Sequence, residues 1–487
     1  MATRTAIIDI GSNSARLVIF QKTSKYGFHL VCEQKSRVRI GEGAYENSGN
    51  LQSIGTYRAY AALELFSHTI REFTVDKTIC VATSALRDAP NRHIFIDKVK
   101  KRLGLNIDVI SGKKEAYYGA TAANNLLAID SAITVDIGGG STDMALIVNG
   151  RVEDTYSLNL GTVRLKELFF DKQIDIKQAR LFIKKELEKL PDSFRAHIAV
   201  GIGGSARALS KAIMFRTRYP LDKIHAFSYN IEEHLEYMKQ IVTTPLDRLS
   251  TLDIKQNRHD TIREGVLILT EVLKQINSKE MIASGVGVRE GVYLHHLLGV
   301  DEPKFPSSIN PSVQSILDRF NSLNLPTGNR KKISKKLYSL FSKSIDRDID
   351  YFWALDTALL LSDIGKMLTI YQKHKHAQYI TMQELNYDFS HNQMMLISIL
   401  LSAKENKGYS KELYERYKSI LPPKKVIKYL SFIYSLSLIL HRNTIDTDID
   451  FKYCNGLLHI LSDDSLYLAK ESILTMKRPK KVDIIFG

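Results

Sequence analysis

The stretch Val135-Asp136-Ile137-Gly138-Gly139-Gly140-Ser141-Thr142-Asp143 decides how the rest of the chain is read. An apolar run from Ala132 enters it and another, Met144 to Val148, leaves it. It therefore reads as a glycine-filled turn between two strands, with a carboxylate at each end. Successive glycines let backbone N–H groups converge on an anion with no Cβ in the way, and Ser141 and Thr142 add hydroxyl donors. That is phosphate-cradling chemistry, although on these residues alone an ordinary glycine-rich hairpin turn fits as well.

The N-terminus repeats the pattern in outline. Ala6 to Ile10 reads as a strand containing Asp9, Gly11-Ser12-Asn13-Ser14 as a turn, and Ala15 to Phe20 as a second strand. A strand over Phe28–Glu33 precedes the basic run Lys35-Ser36-Arg37-Val38-Arg39. A helix is expected over Leu51–Phe73 and a strand over Thr78–Ala82, followed by the polar loop Thr83 to Asn91. Loops at the carboxyl ends of strands are where open α/β sheets place ligands. Arg87 in this loop is open to two readings, a phosphate clamp or a surface partner of Asp88, and in isolation it reads as the partner. An Ala-rich helix starting near Gly112 carries Glu115 in its first turn, where the helix dipole favours a carboxylate. Farther on, Ile198-Ala199-Val200 enters a third glycine turn, Gly201-Ile202-Gly203-Gly204-Ser205, which taken alone is a helix N-terminus using glycine for close packing.

A chain of 487 residues exceeds one core, and its 44% hydrophobic content supplies several. The formal charge of +15 points to polyanionic partners. No zinc-finger spacing, arginine-rich arm or RNA-binding aromatic signature accompanies it, so nucleic acid is not the expected partner. Cys32, Cys80 and Cys454 stand far apart, which argues against a disulfide framework or zinc site and fits a reducing compartment. The N-terminus does not read as a signal peptide. The apolar run Tyr429–Leu440 is shorter than the roughly 18 residues of a membrane span. A cytoplasmic protein without a membrane partner is expected. A three-proline segment, Glu302 to Ser312, separates an α/β part from a part that lacks clear strands and reads as amphipathic helices up to the tail Val482–Phe486.

Two strand-turn-strand elements, each with an Asp before a Gly/Ser turn, suggest duplicated halves facing across a phosphate-filled cleft. The arrangement resembles the actin-like ATPase superfamily, and within it the exopolyphosphatase and guanosine pentaphosphate phosphatase (Ppx/GppA) family. The resemblance is carried, in order, by Asp9-Ile-Gly-Ser-Asn-Ser14 with Arg16-Leu17, Ala82-Thr-Ser-Ala-Leu-Arg87, and Ile110-Ser-Gly112 with Glu115-Ala116. It continues through Asp136 to Thr142, Leu160-Gly-Thr-Val-Arg164, Gly201-Ile-Gly-Gly204 and Ser284 to Gly291. It implies an α/β fold of two actin-like (ribonuclease H-like) domains, residues 1–125 and 126–304, flanking a cleft. An all-α HD-like C-terminal domain would follow over 305–487.

The same resemblance implies hydrolysis of a terminal phosphoanhydride in inorganic polyphosphate, guanosine pentaphosphate or both. Glu115 would be the base for the attacking water, with Asp143 beside it. Asp9 and Asp136 would hold a divalent metal, Mg²⁺ or another. Ser12, Asn13, Ser14, Arg87, Gly138, Gly139, Gly140, Ser141, Thr142, Gly203 and Gly204 would grip phosphates. Family members commonly carry Glu where this chain has Asp143, and an acidic residue where Lys114 precedes Glu115. In the C-terminal part, Ala358 to Gly365 with His374-Lys375-His376 resembles an HD remnant, but Ser362 stands before Asp363 and the His-Asp dyad is lost, so a metal-free scaffold is expected. His391 and His441 read as ordinary helix residues, and the basic runs Arg330-Lys331-Lys332, Lys335-Lys336, Lys477-Arg478 and Lys480-Lys481 as solvated faces or the lining of a polyanion channel. A homodimer is also implied. The competing functions are an ATP-dependent kinase or ATPase of the same superfamily, and a guanosine tetra- or pentaphosphate sensor with vestigial catalysis.

Overall fold

The computed structural model describes residues 3–44, 46–299, 303–321, 328–404, 407–443, 448–463 and 465–487. The chain divides into two compact units, Met1–Pro311 and Ser312–Gly487.

The first unit contains two sheets of matching construction. In the first, β1 (Arg4–Ile10), β2 (Ala15–Lys22) and β3 (Phe28–Ser36) form an antiparallel meander. After α1 (Ser53–Glu72), strand β4 (Lys77–Ala82) returns parallel to β1; α2 (Ser84–Asp88) and α3 (Arg92–Leu103) lead to β5 (Ile107–Val109). The order is β3-β2-β1-β4-β5. Helix α4 (Gly112–Leu126) then crosses to the second half, where β6 (Ala132–Ile137), β7 (Thr142–Val148) and β8 (Arg151–Leu158) form the second meander. Past α5 (Thr162–Leu165) and α6 (Ile176–Leu187), strand β9 (Ile198–Ile202) lies parallel to β6 and opens into α7 (Gly203–Arg216). Strand β10 (Phe227–Asn230), α8 (Leu235–Thr243), α9 (Ile262–Gln275), β11 (Glu280–Ala283) and α10 (Val288–Leu298) complete the unit. The order β8-β7-β6-β9-β11 repeats that of the first sheet, with β10 added at the edge.

The burial follows the sequence. Strands β1 and β6 are almost wholly buried, as expected for central strands covered on both faces. Each half has its own apolar core, one around Ile8, Ile10, Leu17 and Phe66, the other around Val135, Met144, Leu209 and Leu269. Helices α4 and α10 pack so closely that a Cβ on Gly291 would collide with the Tyr118 carbonyl group. Tyr293 of α10 stacks on Phe20 of β2 at 4.3 Å between ring centroids, tying this helix pair to the first sheet.

The second unit is largely helical: α11 (Pro311–Phe320), α12 (Gly328–Ile345), α13 (Phe352–Leu360), α14 (Lys373–Glu384), α15 (His391–Leu401), α16 (Lys411–Tyr417), α17 (Lys424–Asn443) and α18 (Tyr467–Leu474). It also corrects the expectation of an all-α region. Strands β12 (Asp450–Cys454) and β13 (Leu457–Leu461) form a hairpin, and the tail strand β14 (Asp483–Phe486) adds parallel to β13. The turn is Asn455-Gly456 with φ of 52° and 85°, the dipeptide that best tolerates two successive left-handed residues. Arg330 is another correction. It is buried rather than on a solvated face, and its guanidinium donates to Asp363 at 2.5 Å and to the Ser362 hydroxyl at 2.8 Å. His391 and His441 are buried in α15 and α17. No helix among the described residues is long and apolar enough to cross a membrane.

Gly291→Ala tests the helix-pair constraint. The added methyl has no room against Tyr118, so the variant should unfold with about 2–3 kcal/mol less stability in urea, the usual cost of overpacking. Unchanged stability would show that α4 and α10 slide apart freely.

Candidate active site

The two Gly/Ser turns have the same internal hydrogen bond. Gly11 N–H donates to the Ser14 carbonyl (3.1 Å), and Gly138 N–H to the Ser141 carbonyl (2.9 Å). The strands flanking them pair in the same register, Asp9 opposite Arg16 and Asp136 opposite Asp143. Residues so placed have Cβ atoms only ~5 Å apart. One hairpin thus opposes a carboxylate to a cation, while its counterpart opposes two carboxylates. The turns also meet: a Cβ on Gly139 would lie 2.7 Å from the Ser12 Cβ, so the jaws approach this closely only because Gly139 has none.

Between them lies a cavity of about 160 Å³. Of the residues singled out from the sequence, Asp9, Ser12, Asn13, Ser14, Glu115, Asp136, Gly138, Gly139, Ser141, Gly203 and Gly204 line it. Gly203 and Gly204 open α7, and the left-handed φ of 84° at Gly203 brings its Cα side within 2.5 Å, for an added Cβ, of an Asp136 carboxylate oxygen. Arg87, Gly140, Thr142 and Asp143 do not line the cavity. Thr142 is fully buried and donates its hydroxyl to the Leu160 carbonyl at 2.7 Å. The Gly140 carbonyl accepts from Arg164 Nε at 3.0 Å.

Arg87 and Asp143 stand behind Glu115. Arg87 is not a surface partner of Asp88 alone: Nη1 donates to Glu115 Oε2 at 3.0 Å and to the Ile110 carbonyl at 3.2 Å, while Asp88 is 3.8 Å away. Ser111 caps α4 by accepting from Lys114 N–H, which fixes the first turn that carries Glu115. Asp143 is 2% exposed and accepts from the hydroxyls of Ser141 (2.8 Å) and Ser157 (2.5 Å). Its role is thus drawn from within the wall rather than from the cavity.

Burial dominates the site's electrostatics. It pushes Glu115 well above the usual carboxylate range, helped by Asp143 and opposed by Arg87. Asp136 rises to about 7 through burial and the facing Asp143, and Asp143 to about 6 through burial against its two serine hydrogen bonds. Asp9 rises through burial, restrained by Arg289 and Arg16. Asp9 and Asp136 accept no side-chain hydrogen bond among the described residues, so their oxygens are free toward the cavity. Two such carboxylates suit a hard divalent cation that takes its remaining ligands from water and phosphate oxygens. No group of three or more His, Cys, Asp or Glu ligands occurs among the described residues, so a cage supplied wholly by the protein is not offered.

Five cations share the cavity: Arg16, Lys35, Arg207, Arg258 and Arg289. None was assigned a role from the sequence. Four sit in or beside the quoted motifs, but their convergence depends on which β-strand or helix terminus each occupies. Burial and mutual repulsion lower Arg16, Arg207 (to about 10) and Arg258. Arg289 is raised instead, because Glu290, Asp9 and Glu33 outweigh its burial. Lys35 falls to about 8 through burial and the nearby Arg16, Arg258, Arg37 and Arg207. Arg16 and Arg289 each pair with Glu33, at 3.4 and 3.2 Å, and the concentration of cations in a concave, partly dry site is complementary to a multiply charged anion.

The model of the Ppx/GppA phosphatase family matches residues 18–299. The chain belongs to the Ppx/GppA phosphatase family. Among solved structures, the Aquifex aeolicus member of this family is 28% identical, with a TM-score of 0.53, covering 61% of this chain and 98% of that one. An exopolyphosphatase from Cytophaga hutchinsonii, 23% identical, shares the fold at a TM-score of 0.56 over 62% of this chain and 100% of that one. The Ppx/GppA assignment makes the protein a phosphatase by class and gives the paired sheets their actin-like architecture.

Lys35 gives a pH prediction. Its folded value near 8 means the ammonium form is lost as pH rises through that point, whereas a bound polyanion raises the value again. The liganded state therefore holds more protons, and KM for a phosphorylated substrate should climb above pH 8 by up to ~10-fold per unit. Lys35→Met should raise KM and flatten this limb; a flat limb in the unmodified protein would count against it.

Proposed function

We propose that this phosphatase removes the terminal phosphate of inorganic polyphosphate, guanosine pentaphosphate or both by in-line attack of water, with Glu115 as the base. The observation that carries the reading is the placement of Glu115 on the first turn of α4, lining a cavity whose other walls are the two phosphate-cradling turns and five cations. A raised carboxylate pKa is what a general base needs to accept a proton near neutrality.

Phosphoryl transfer to water asks for positioning and charge neutralisation more than covalent chemistry. Backbone N–H groups of the two turns that are not used in their internal hydrogen bonds, with the hydroxyl of Ser12, would seat the terminal phosphate, while the Ser141 hydroxyl is donated to Asp143. Arg16, Arg207, Arg258, Arg289 and Lys35 would hold the following phosphates of the chain. Arg87 orients Glu115 and, as a positioning residue, fixes which carboxylate oxygen faces the water. Asp9 and Asp136 would hold a divalent cation such as Mg²⁺, which when bound supplies charge neutralisation at the phosphate oxygens. The proton from the water passes to Glu115, the oxygen–phosphorus bond forms, and the bond to the leaving phosphate breaks with its electron pair on that phosphate.

At about 160 Å³ the cavity is smaller than the ~300–1,000 Å³ pockets that enclose drug-sized ligands, so it suits phosphate groups, and the guanosine of a pentaphosphate would lie outside it.

Glu115→Gln keeps shape and most hydrogen bonding but cannot accept the proton. Phosphate release should fall by ~10²-fold or more while substrate affinity changes little. A variant with near-normal turnover would remove Glu115 from the role of base, and one that loses affinity and turnover together would make it a binding residue.

A further inference from the structure

The stretch Leu160-Gly161-Thr162-Val163-Arg164 is one of the motifs that carry the family resemblance, yet of its residues only Thr162 lines the cleft cavity. The segment instead grips the back of the second glycine turn. Thr162 N–H donates to the Gly138 carbonyl at 2.9 Å, Val163 and Arg164 N–H to the Gly139 carbonyl at 2.8 and 3.1 Å, and Arg164 Nε to the Gly140 carbonyl at 3.0 Å. The approach is close, since a Cβ on Gly161 would collide with the Gly139 carbonyl. A trans peptide is planar and points its C=O and N–H to opposite sides. Three carbonyls drawn toward α5 therefore send the N–H groups of Gly139, Gly140 and Ser141 the other way, and Gly139 and Ser141 line the cavity.

The first two of these peptides are held by main-chain donors, which survive any side-chain truncation. The third depends on one side chain. Arg164 is anchored at its far end, where Nη2 donates to Asp88 of the first half at 3.3 Å. Asp88 also stands 3.8 Å from Arg87 Nε, and Arg87 reaches back to the Ser141 hydroxyl at 3.4 Å as well as to Glu115 at 3.0 Å. The contacts close a ring that runs from the Gly140 carbonyl through Arg164, Asp88 and Arg87 to Ser141. The ring holds the Gly140–Ser141 peptide at both ends, and the same Arg87 holds Glu115. Were this peptide to rotate, a carbonyl oxygen would replace an N–H on the side facing the phosphate, placing repulsion where a donor is needed.

We infer that Arg164 is a positioning residue for the phosphatase reaction: its Nε keeps the Gly140–Ser141 peptide turned with the Ser141 N–H toward the terminal phosphate, and its hold on Asp88 sets that peptide in register with Arg87 and Glu115. The inference rests on the reading of the cleft as the hydrolytic site. Arg164 does not line the cavity, whereas Arg16, Lys35, Arg207, Arg258 and Arg289 do and would hold the phosphates beyond the terminal one. Losing Arg164 therefore costs turnover rather than affinity.

Two substitutions separate the hydrogen bond from the rest of the side chain. Arg164→Gln places an amide N–H where Nε stands, keeping a donor for Gly140 while giving up Asp88, and Arg164→Met fills the same length with no donor. Phosphate release from long polyphosphate and from guanosine pentaphosphate is followed with kcat and KM resolved, under conditions where urea unfolding curves show each variant folded. On whichever compound the unmodified protein turns over, kcat should fall in the order Arg, Gln, Met, with Met at least ~10-fold below the unmodified protein and KM within about 2-fold throughout. A purely structural role would lower the unfolding midpoint and leave both constants of the folded protein unchanged. Arg164→Met with unmodified kcat, Arg164→Gln as slow as Arg164→Met, or a loss that appears in KM would overturn the inference. Should Arg164→Met not fold, Arg164→Ala supplies the donor-free member of the comparison. Glu115→Gln is measured alongside: near-normal turnover there would remove the proposed base, while the order of the Arg164 variants still reports on the turn.

Discussion

The contact between Gly139 and Ser12 sets the dimensions of everything between the two halves. Two turns of the same construction, one from each sheet, converge on one small cavity with the Ser12 side chain packed directly over Gly139, and a side chain at Gly139 would part them. Their common internal hydrogen bond and common strand register make the second half a structural copy of the first. Gly41 adds to the constraint, since its Cβ would lie 3.2 Å from the Ser12 Cβ. The narrow gap favours phosphate, which needs many donors in little space, over any ligand with a bulky body.

The copy is not exact in charge, and the difference matters chemically. Arg16 in the first hairpin occupies the place that Asp143 takes in the second. The first jaw therefore restrains the rise of its own aspartate, while the second makes Asp136 a much weaker acid. A cavity with one balanced and one overcharged jaw gains most from a ligand that brings anions to Arg16, Arg207 and Arg289 and a cation to Asp9 and Asp136. Asp143 is bound by two serine hydroxyls within the wall. Its influence reaches Glu115 and Asp136 as an electrostatic field rather than through contact with the cavity.

Much of this was legible from residue order. Asp9 and Asp136 each stand near the end of an apolar run and precede a glycine-serine turn. Glu115 followed from its position at the start of a helix together with the family resemblance. What could not be read was convergence. Lys35 belongs to a basic run that nothing local assigns a role, and only the extension of β3 through Ser36 carries it into the cleft. Arg258 precedes α9 by several residues, and nothing local marks it as a cleft residue. Thr142 looked like a phosphate donor because hydroxyls beside glycines usually are, yet alternation along β7 turns it inward to the Leu160 carbonyl. The hairpin at Asn455-Gly456 was readable from its turn dipeptide, but the long helical context around it masked the signal. Arg330 looked solvated because it stands in a lysine run, whereas helix periodicity points it at Asp363.

The central claim is that two converging turns, a pair of free carboxylates and Glu115 form a metal-dependent site for terminal phosphoanhydrides. It is tested most directly by measuring phosphate release from long polyphosphate, guanosine pentaphosphate and ATP side by side, with and without Mg²⁺. The account predicts release from polyphosphate or guanosine pentaphosphate that requires the cation and exceeds release from ATP. Equal release with the cation chelated, or ATP consumed while both other compounds are left intact, would contradict it.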